Sequence, residues 1–265
     1  CALTPFWALN GFRQMSEMIS MFRRACPQTL TPESDRVANM STGTGLKWIF
    51  NTLLTLPKER KIAILNEAVL FAKPRVEADP VWNWIVSLAR YYPDDIGVLA
   101  PIFLNLICLS PGQAMYLPAG RLHAYLEGTG LELMANSDNV LRGGLTPKHV
   151  DVPELLTVLC FESTSIDVIL PHRMGPCEET YATPATEFLL SRITLGSNDT
   201  FEGVGGMGTR IILCTQGDIL LTETETDQKI EMHKGGSVIV SGSHGDYTLA
   251  GEGVLYVAAI PLGKK

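Results

Sequence analysis

Two stretches of the sequence gather side chains that can do chemistry. The first runs from Gly112 to His123 and has the form G-x5-P-x-G-x2-H. Apolar residues lead up to Pro118 and Gly120, which are turn residues, and the imidazole of His123 follows the turn. An imidazole so placed can bind a metal, although a lone histidine followed by Ala124-Tyr125 also suits a hydrogen-bonded structural role. The second stretch runs from Leu131 to Asp151 and holds Glu132, Asp138, Arg142, Lys148 and His149. Glu132 and Asp138 can cap turns or pair with Arg142, and Asn136-Ser137-Asp138-Asn139 is itself a turn signal. Arg142 stands beside Gly143-Gly144, where the missing side chains permit close approach of backbone or ligand.

The elements that must position these residues fall into two kinds. From about residue 11 to 97 apolar residues recur every three or four positions: Phe12, Met15, Met18, Ile19 and Phe22; Leu46, Ile49, Phe50 and Leu53; Ile62, Leu65 and Val69; Val81, Ile85 and Leu88. Proline and glycine divide the region, predicting four or five short helices. After Pro93 the segments become short, rich in Val, Ile, Leu and Thr, and separated by turn residues. Strands are predicted over 101–109, 114–117, 131–134 and 156–161, then over 187–195, 209–214, 218–223, 237–240, 246–249 and 254–260. The stretch 172–186 reads as a linker. The expected fold class is α+β: two jelly-roll-like β regions, with residues 1–10 and 98–171 in the first and 187–265 in the second, and an all-helical insert over 11–97.

Composition excludes several function classes. Of 265 residues 46% are hydrophobic, enough for a sizeable core, and the formal charge of −7 is scattered, so a nucleic-acid partner is not expected. No apolar run reaches the roughly 20 residues that span a bilayer, and no signal sequence opens the chain, so a soluble cytoplasmic protein without a membrane partner is expected. Cys1, Cys26, Cys108, Cys160, Cys177 and Cys214 form no C-x-x-C pair, which argues for reduced thiols. Gly203 to Gly208 satisfies G-x-G-x-x-G but is followed by strand-like Thr209 to Cys214 rather than a helix, so a dinucleotide site is not expected.

The Gly112–His123 pattern resembles the second conserved motif of cupins, jelly-roll barrels in which that histidine is a metal ligand; this sequence departs from it at Glu127, where cupins usually carry Asn. The run Leu131-Glu132-Leu133-Met134-Ala135-Asn136-Ser137-Asp138-Asn139-Val140-Leu141-Arg142-Gly143-Gly144-Leu145-Thr146-Pro147-Lys148 resembles the signature of type I phosphomannose isomerases. The resemblance covers about 40 contiguous residues. It implies a zinc-dependent enzyme that interconverts mannose 6-phosphate and fructose 6-phosphate through a cis-enediol. It further implies His123 as a zinc ligand, Arg142, Glu132 and Asp138 as catalytic residues, and Tyr125 and Lys148 as substrate-binding residues. Such chemistry needs an acid/base group, a Lewis acid or cation for the developing oxyanion, and a cation for the phosphate. Which carboxylate moves the proton does not follow from spacing.

A zinc site needs three or four protein ligands, and only His123 is convincing among the five histidines (His123, His149, His172, His233, His244). In the family the other ligands are a Gln, a His and a Glu on the first β segments, just upstream of a strand like Ala2-Leu3-Thr4-Pro5-Phe6. The chain opens at Cys1 without Met, and is therefore expected to begin after those ligands, with an incomplete zinc site and no activity on its own. The alternative is a non-catalytic cupin-type module that binds a sugar phosphate through Arg142 and Lys148. An iron-dependent cupin dioxygenase would need a His pair that this sequence lacks. Ser241-Gly242-Ser243-His244 echoes the cupin turn without its proline, and His244 reads as an exposed turn residue.

Overall fold

A computed structural model describes residues 1–137 and 139–261. The chain enters through strand β1 (Phe6–Phe12) and then builds five helices, α1 (Met15–Ala25), α2 (Thr31–Ala38), α3 (Thr42–Thr55), α4 (Lys58–Ala72) and α5 (Pro80–Tyr91). Local chemistry sets these boundaries. At α5 Asp79 accepts a hydrogen bond from the Val81 N–H at 2.9 Å, and Pro80 occupies a first-turn position where no N–H is needed. The helices bury Phe22, Leu46, Phe50, Ile64, Trp82 and Ile85 in one core, to which β1 adds Leu9 and Phe12.

A short helix α6 (Ala100–Phe103) leads into β2 (Leu104–Leu109), and β3 (His123–Glu127) completes an antiparallel three-stranded sheet of order β2-β1-β3. The register pairs Leu9 with Ala124 and Asn10 with His123, and Ala8 with Tyr125. Cross-strand partners share a face, so Leu9 and Ala124 turn toward the helical core while Ala8, Asn10, His123 and Tyr125 line the opposite face. A register shift between Leu9 and Phe12 is held by the Asn105 amide, which donates to the carbonyls of Asn10, Gly11, Phe12 and Thr164 at 2.9–3.2 Å. Gly11 in this bulge has φ +66°, and Thr164 Oγ1 occupies the space a Cβ would need.

After helix α7 (Val152–Val158) come β4 (His172–Arg173), β5 (Glu178–Tyr181), β6 (Leu189–Leu195), β7 (Thr200–Gly203), β8 (Arg210–Glu223), β9 (Lys229–His233), β10 (Ser237–Val240) and β11 (Tyr247–Ala259). They form an eight-stranded antiparallel sheet of order β10-β8-β11-β6-β5-β4, with β7 on β11 and β9 on β8. Its core is apolar: Ile193, Leu195, Ile212, Cys214, Leu249 and Leu255. The fold class is α+β with antiparallel sheets, as the sequence led one to expect.

Several elements differ from the sequence prediction. Residues 101–103 are helical rather than strand, because Pro101 suits a first helical turn and cannot donate to a ladder. The strand predicted over 156–161 does not form; helix α7 runs through Val158, since Asp151 accepts from the Glu154 N–H at 3.0 Å and Pro153 suits the first turn. No strand covers 114–117 or 131–134; Ala114 makes a single bridge to Ile169, and Leu131 pairs with Cys1. The stretch 172–186, expected as a linker, carries β4 and β5, with Gly175 and Pro176 in the turn between them. The breaks predicted inside β8 and β11 are glycine irregularities within continuous strands. Gly217, at φ +79°, lies against the Glu252 carbonyl so closely that no side chain fits. The G-x-G-x-x-G run is a loop following β7, held by the Gly206 N–H on the His244 carbonyl at 3.2 Å.

Candidate active site

Of the residues singled out by sequence, His123, Tyr125 and Glu132 come together at the face of the three-stranded sheet turned away from the helices. His123 and Tyr125 are alternate residues of β3, so they project to the same side, with ring centroids 5.8 Å apart. The Tyr125 hydroxyl donates to Glu132 Oε1 at 2.6 Å, a charge-assisted bond joining the strand to the segment that follows it. Burial, and after it the hydrogen bond and charge of Glu132, push the Tyr125 phenol far above its ordinary pKa. Tyr125 therefore stays a donor throughout the physiological range. Phe6 packs edge-on against it at 5.3 Å.

His123 is exposed, and its Nδ1 lies 2.9 Å from the Arg121 carbonyl. A carbonyl can only accept, so Nδ1 carries the proton and Nε2 of the neutral ring offers its lone pair outward. That is the tautomer of a histidine that binds a metal through Nε2. Among the described residues no group of three or more His, Cys, Asp and Glu side chains stands close enough to hold a metal ion. The described residues thus do not fit a zinc site by themselves.

Arg142 and Lys148 lie exposed on the loop after Glu132. The loop is anchored from two sides. A side chain on Gly143 would stand 2.8 Å from Leu122, directly before His123, while Gly144, at φ +128°, lies against Asp95 and Gly97. Asp95 also accepts from the Gly97 N–H at 2.7 Å and the Thr146 N–H at 3.4 Å, tying the loop to the helical region. The two glycines therefore serve close backbone packing, which places Arg142 one residue from the chain that delivers His123. The Lys148 ammonium has no ion pair among the described residues. Asp138 lies outside the described residues. His149 is an exposed loop residue.

Sequence reasoning missed Asn10. It is 2% exposed, stands directly across from His123, gives its amide N–H only to the Met115 sulfur at 3.6 Å, and its Oδ1 has no partner among the described residues. The available signal was one amide inside the apolar run Phe6-Trp7-Ala8-Leu9-Asn10, at a position facing away from the helices. A separate cleft of about 620 Å³, lined by Trp7, Trp84, Arg90, Leu126 and Glu127, opens between the sheet and α5 and contains none of the predicted site residues.

No protein-family model matches the chain. Curated relatives do. The mannose-6-phosphate isomerase of Salmonella typhimurium is 35% identical over 259 residues, covering 96% of this chain and 63% of that protein. The human mannose-6-phosphate isomerase is 32% identical over 266 residues, covering 91% of this chain and 62% of that protein. Among solved structures, a lysine-to-alanine variant of phosphomannose isomerase from Salmonella typhimurium superposes with a TM-score of 0.86 at 32% identity, over 98% of this chain and 67% of that one. The apo form of mannose 6-phosphate isomerase from the same organism gives 0.85 at 31%, over 98% and 65%. The chain spans 63% of the length of the bacterial relatives it matches. With this likeness running through nearly all its residues, the chain belongs to the mannose-6-phosphate isomerase family.

Proposed function

We propose that this chain carries the substrate-facing sheet of an isomerase that interconverts mannose 6-phosphate and fructose 6-phosphate through a cis-enediol. The observation that carries the reading is the Tyr125–Glu132 pair beside His123 on one face of the sheet, in a chain of this family. The reaction moves one proton between C1 and C2 and shifts charge onto O1 and O2. Glu132, oriented by the Tyr125 hydroxyl, is placed to exchange that proton, with Asp138 as the second carboxylate of the same segment. Arg142 meets the enediolate or the phosphate with its planar fork, and Lys148 meets the phosphate as a point charge.

Zinc belongs to the proposal through His123 alone, which would hold it through Nε2; zinc would supply Lewis-acid polarisation of the sugar oxygens. The other ligands would come from outside the described residues. A second reading, a module that binds sugar phosphate without turning it over, is favoured by the lack of converging metal donors among the described residues. Assay of the protein made from its complete gene separates the two. Turnover of mannose 6-phosphate in D2O, with deuterium appearing at C1 of the fructose 6-phosphate formed, is expected; saturable binding without turnover would overturn the isomerase reading.

A further inference from the structure

The two β regions meet at a small buried cluster of Ala114, Tyr181 and Tyr256. Tyr181, on β5, is 2% exposed, and its hydroxyl donates to the Gly112 carbonyl at 2.9 Å. The Cys1 thiol lies 3.3 Å from the same hydroxyl. Arg192, on β6, is paired with Glu179, and its Nη1 stands 2.9 Å from where a Cβ on residue 112 would lie. Gly112 is at φ +83°, a backbone conformation that favours glycine. This glycine opens the G-x5-P-x-G-x2-H run. The C-terminal sheet therefore grips the first residue of the turn that leads to His123.

The grip extends to the site through backbone hydrogen bonds. Gly112 N–H donates to the Ala2 carbonyl, and Ala2 N–H donates to the Gln113 carbonyl, both at 2.8 Å. Ala2 bridges to Gly130, Leu131 N–H donates to the Cys1 carbonyl at 2.8 Å, and Cys1 N donates back to Leu131 at 2.9 Å. Leu131 is followed directly by Glu132, which holds Tyr125. A continuous path thus runs from Tyr181 through Gly112, Ala2 and Leu131 to the carboxylate of the candidate site.

We infer that Tyr181 is a positioning residue: through its hydroxyl the C-terminal β region sets the place of the Gly112 turn and of Glu132. The inference rests on the reading that Glu132 belongs to the site, but its test needs no turnover, so either can fail without the other. In Tyr181→Phe, hydrogen exchange at the Ala2, Gly112 and Leu131 amides is expected to quicken about tenfold, the scale of one net hydrogen bond. The amides of Ile212 and Leu255 should keep their rates, and the Tyr125 ring signal in a 13C-tyrosine spectrum should move. Unchanged exchange at the three amides, an equal acceleration everywhere, or an unmoved Tyr125 signal would overturn the inference. Should Tyr181→Phe not fold, Glu179→Gln releases Arg192 while keeping the tyrosine; faster exchange at Gly112 is then expected, and no change there counts against the grip.

Discussion

The two β regions differ in the side chains that one face of each carries. In the C-terminal sheet these are Ile193, Leu195, Ile212, Leu249 and Leu255, closed against one another as a core. In the three-stranded sheet the face turned from the helices carries Asn10, His123 and Tyr125, with Glu132 joined from the next segment. Both regions also carry a glycine-rich turn before a histidine, yet the outcomes differ. His123 is pinned by a backbone carbonyl with one ring nitrogen presented outward, whereas His244 lies in an exposed turn of Ser241-Gly242-Ser243. Chemistry follows from which side chains a face presents, not from the presence of a sheet or of a turn.

That contrast can be broken by substitution. Glu132→Gln in the complete protein is expected to lower kcat by about 10²–10⁴, the range for a lost acid/base group, while thermal unfolding stays within a degree or two because the side chain is exposed. Leu249→Ala in the other region should do the reverse. It removes a fully buried side chain and should cost about 2–5 kcal/mol in urea unfolding, with kcat of the folded fraction unchanged. Arg142→Ala should reduce kcat/KM by about 10²–10³, and Arg142→Lys should restore only a minor part, since an ammonium lacks the planar fork. Tyr125→Phe should have a smaller effect, about tenfold in kcat, by releasing one hydrogen bond to the Glu132 carboxylate.

The smallest effect concerns His233, whose Nδ1 lies 2.6 Å from Asp218 Oδ1 on the exposed side of the C-terminal sheet. The hydrogen bond and charge of Asp218 raise the His233 pKa. A raised histidine pKa favours the folded state below the ordinary value of about 6.5, and that contribution fades as pH rises through the raised value. In an NMR titration Asp218→Asn should bring the His233 midpoint down without altering turnover. A change in turnover would show that the second region takes part in the chemistry directly.

Much of this arrangement was legible in the sequence. The helical insert declared itself because Met18, Phe22, Leu46 and Phe50 follow the helical repeat strictly, and all four are buried. His123, Tyr125, Glu132 and Arg142 stood out through the resemblance of their segments to the cupin and phosphomannose isomerase signatures. Less local physics was not legible. Gly217 and Gly251 looked like turns, but they sit opposite each other's strands as close approaches within long ladders, which only the pairing partner reveals. Asn10 lay unnoticed in an apolar strand because its significance depends on the His123 register. The link from Tyr181 to Gly112 spans 69 residues and leaves no mark in either segment alone.

The most direct test of the central claim is an NMR titration of this chain with mannose 6-phosphate, following its histidine and tyrosine side chains. The polar face of the three-stranded sheet is expected to respond, with His123 and Tyr125 signals shifting saturably while those of His233 and His244 stay fixed. Shifts confined to His233 or His244, or none at His123 and Tyr125 at saturating ligand, would contradict the assignment of the site.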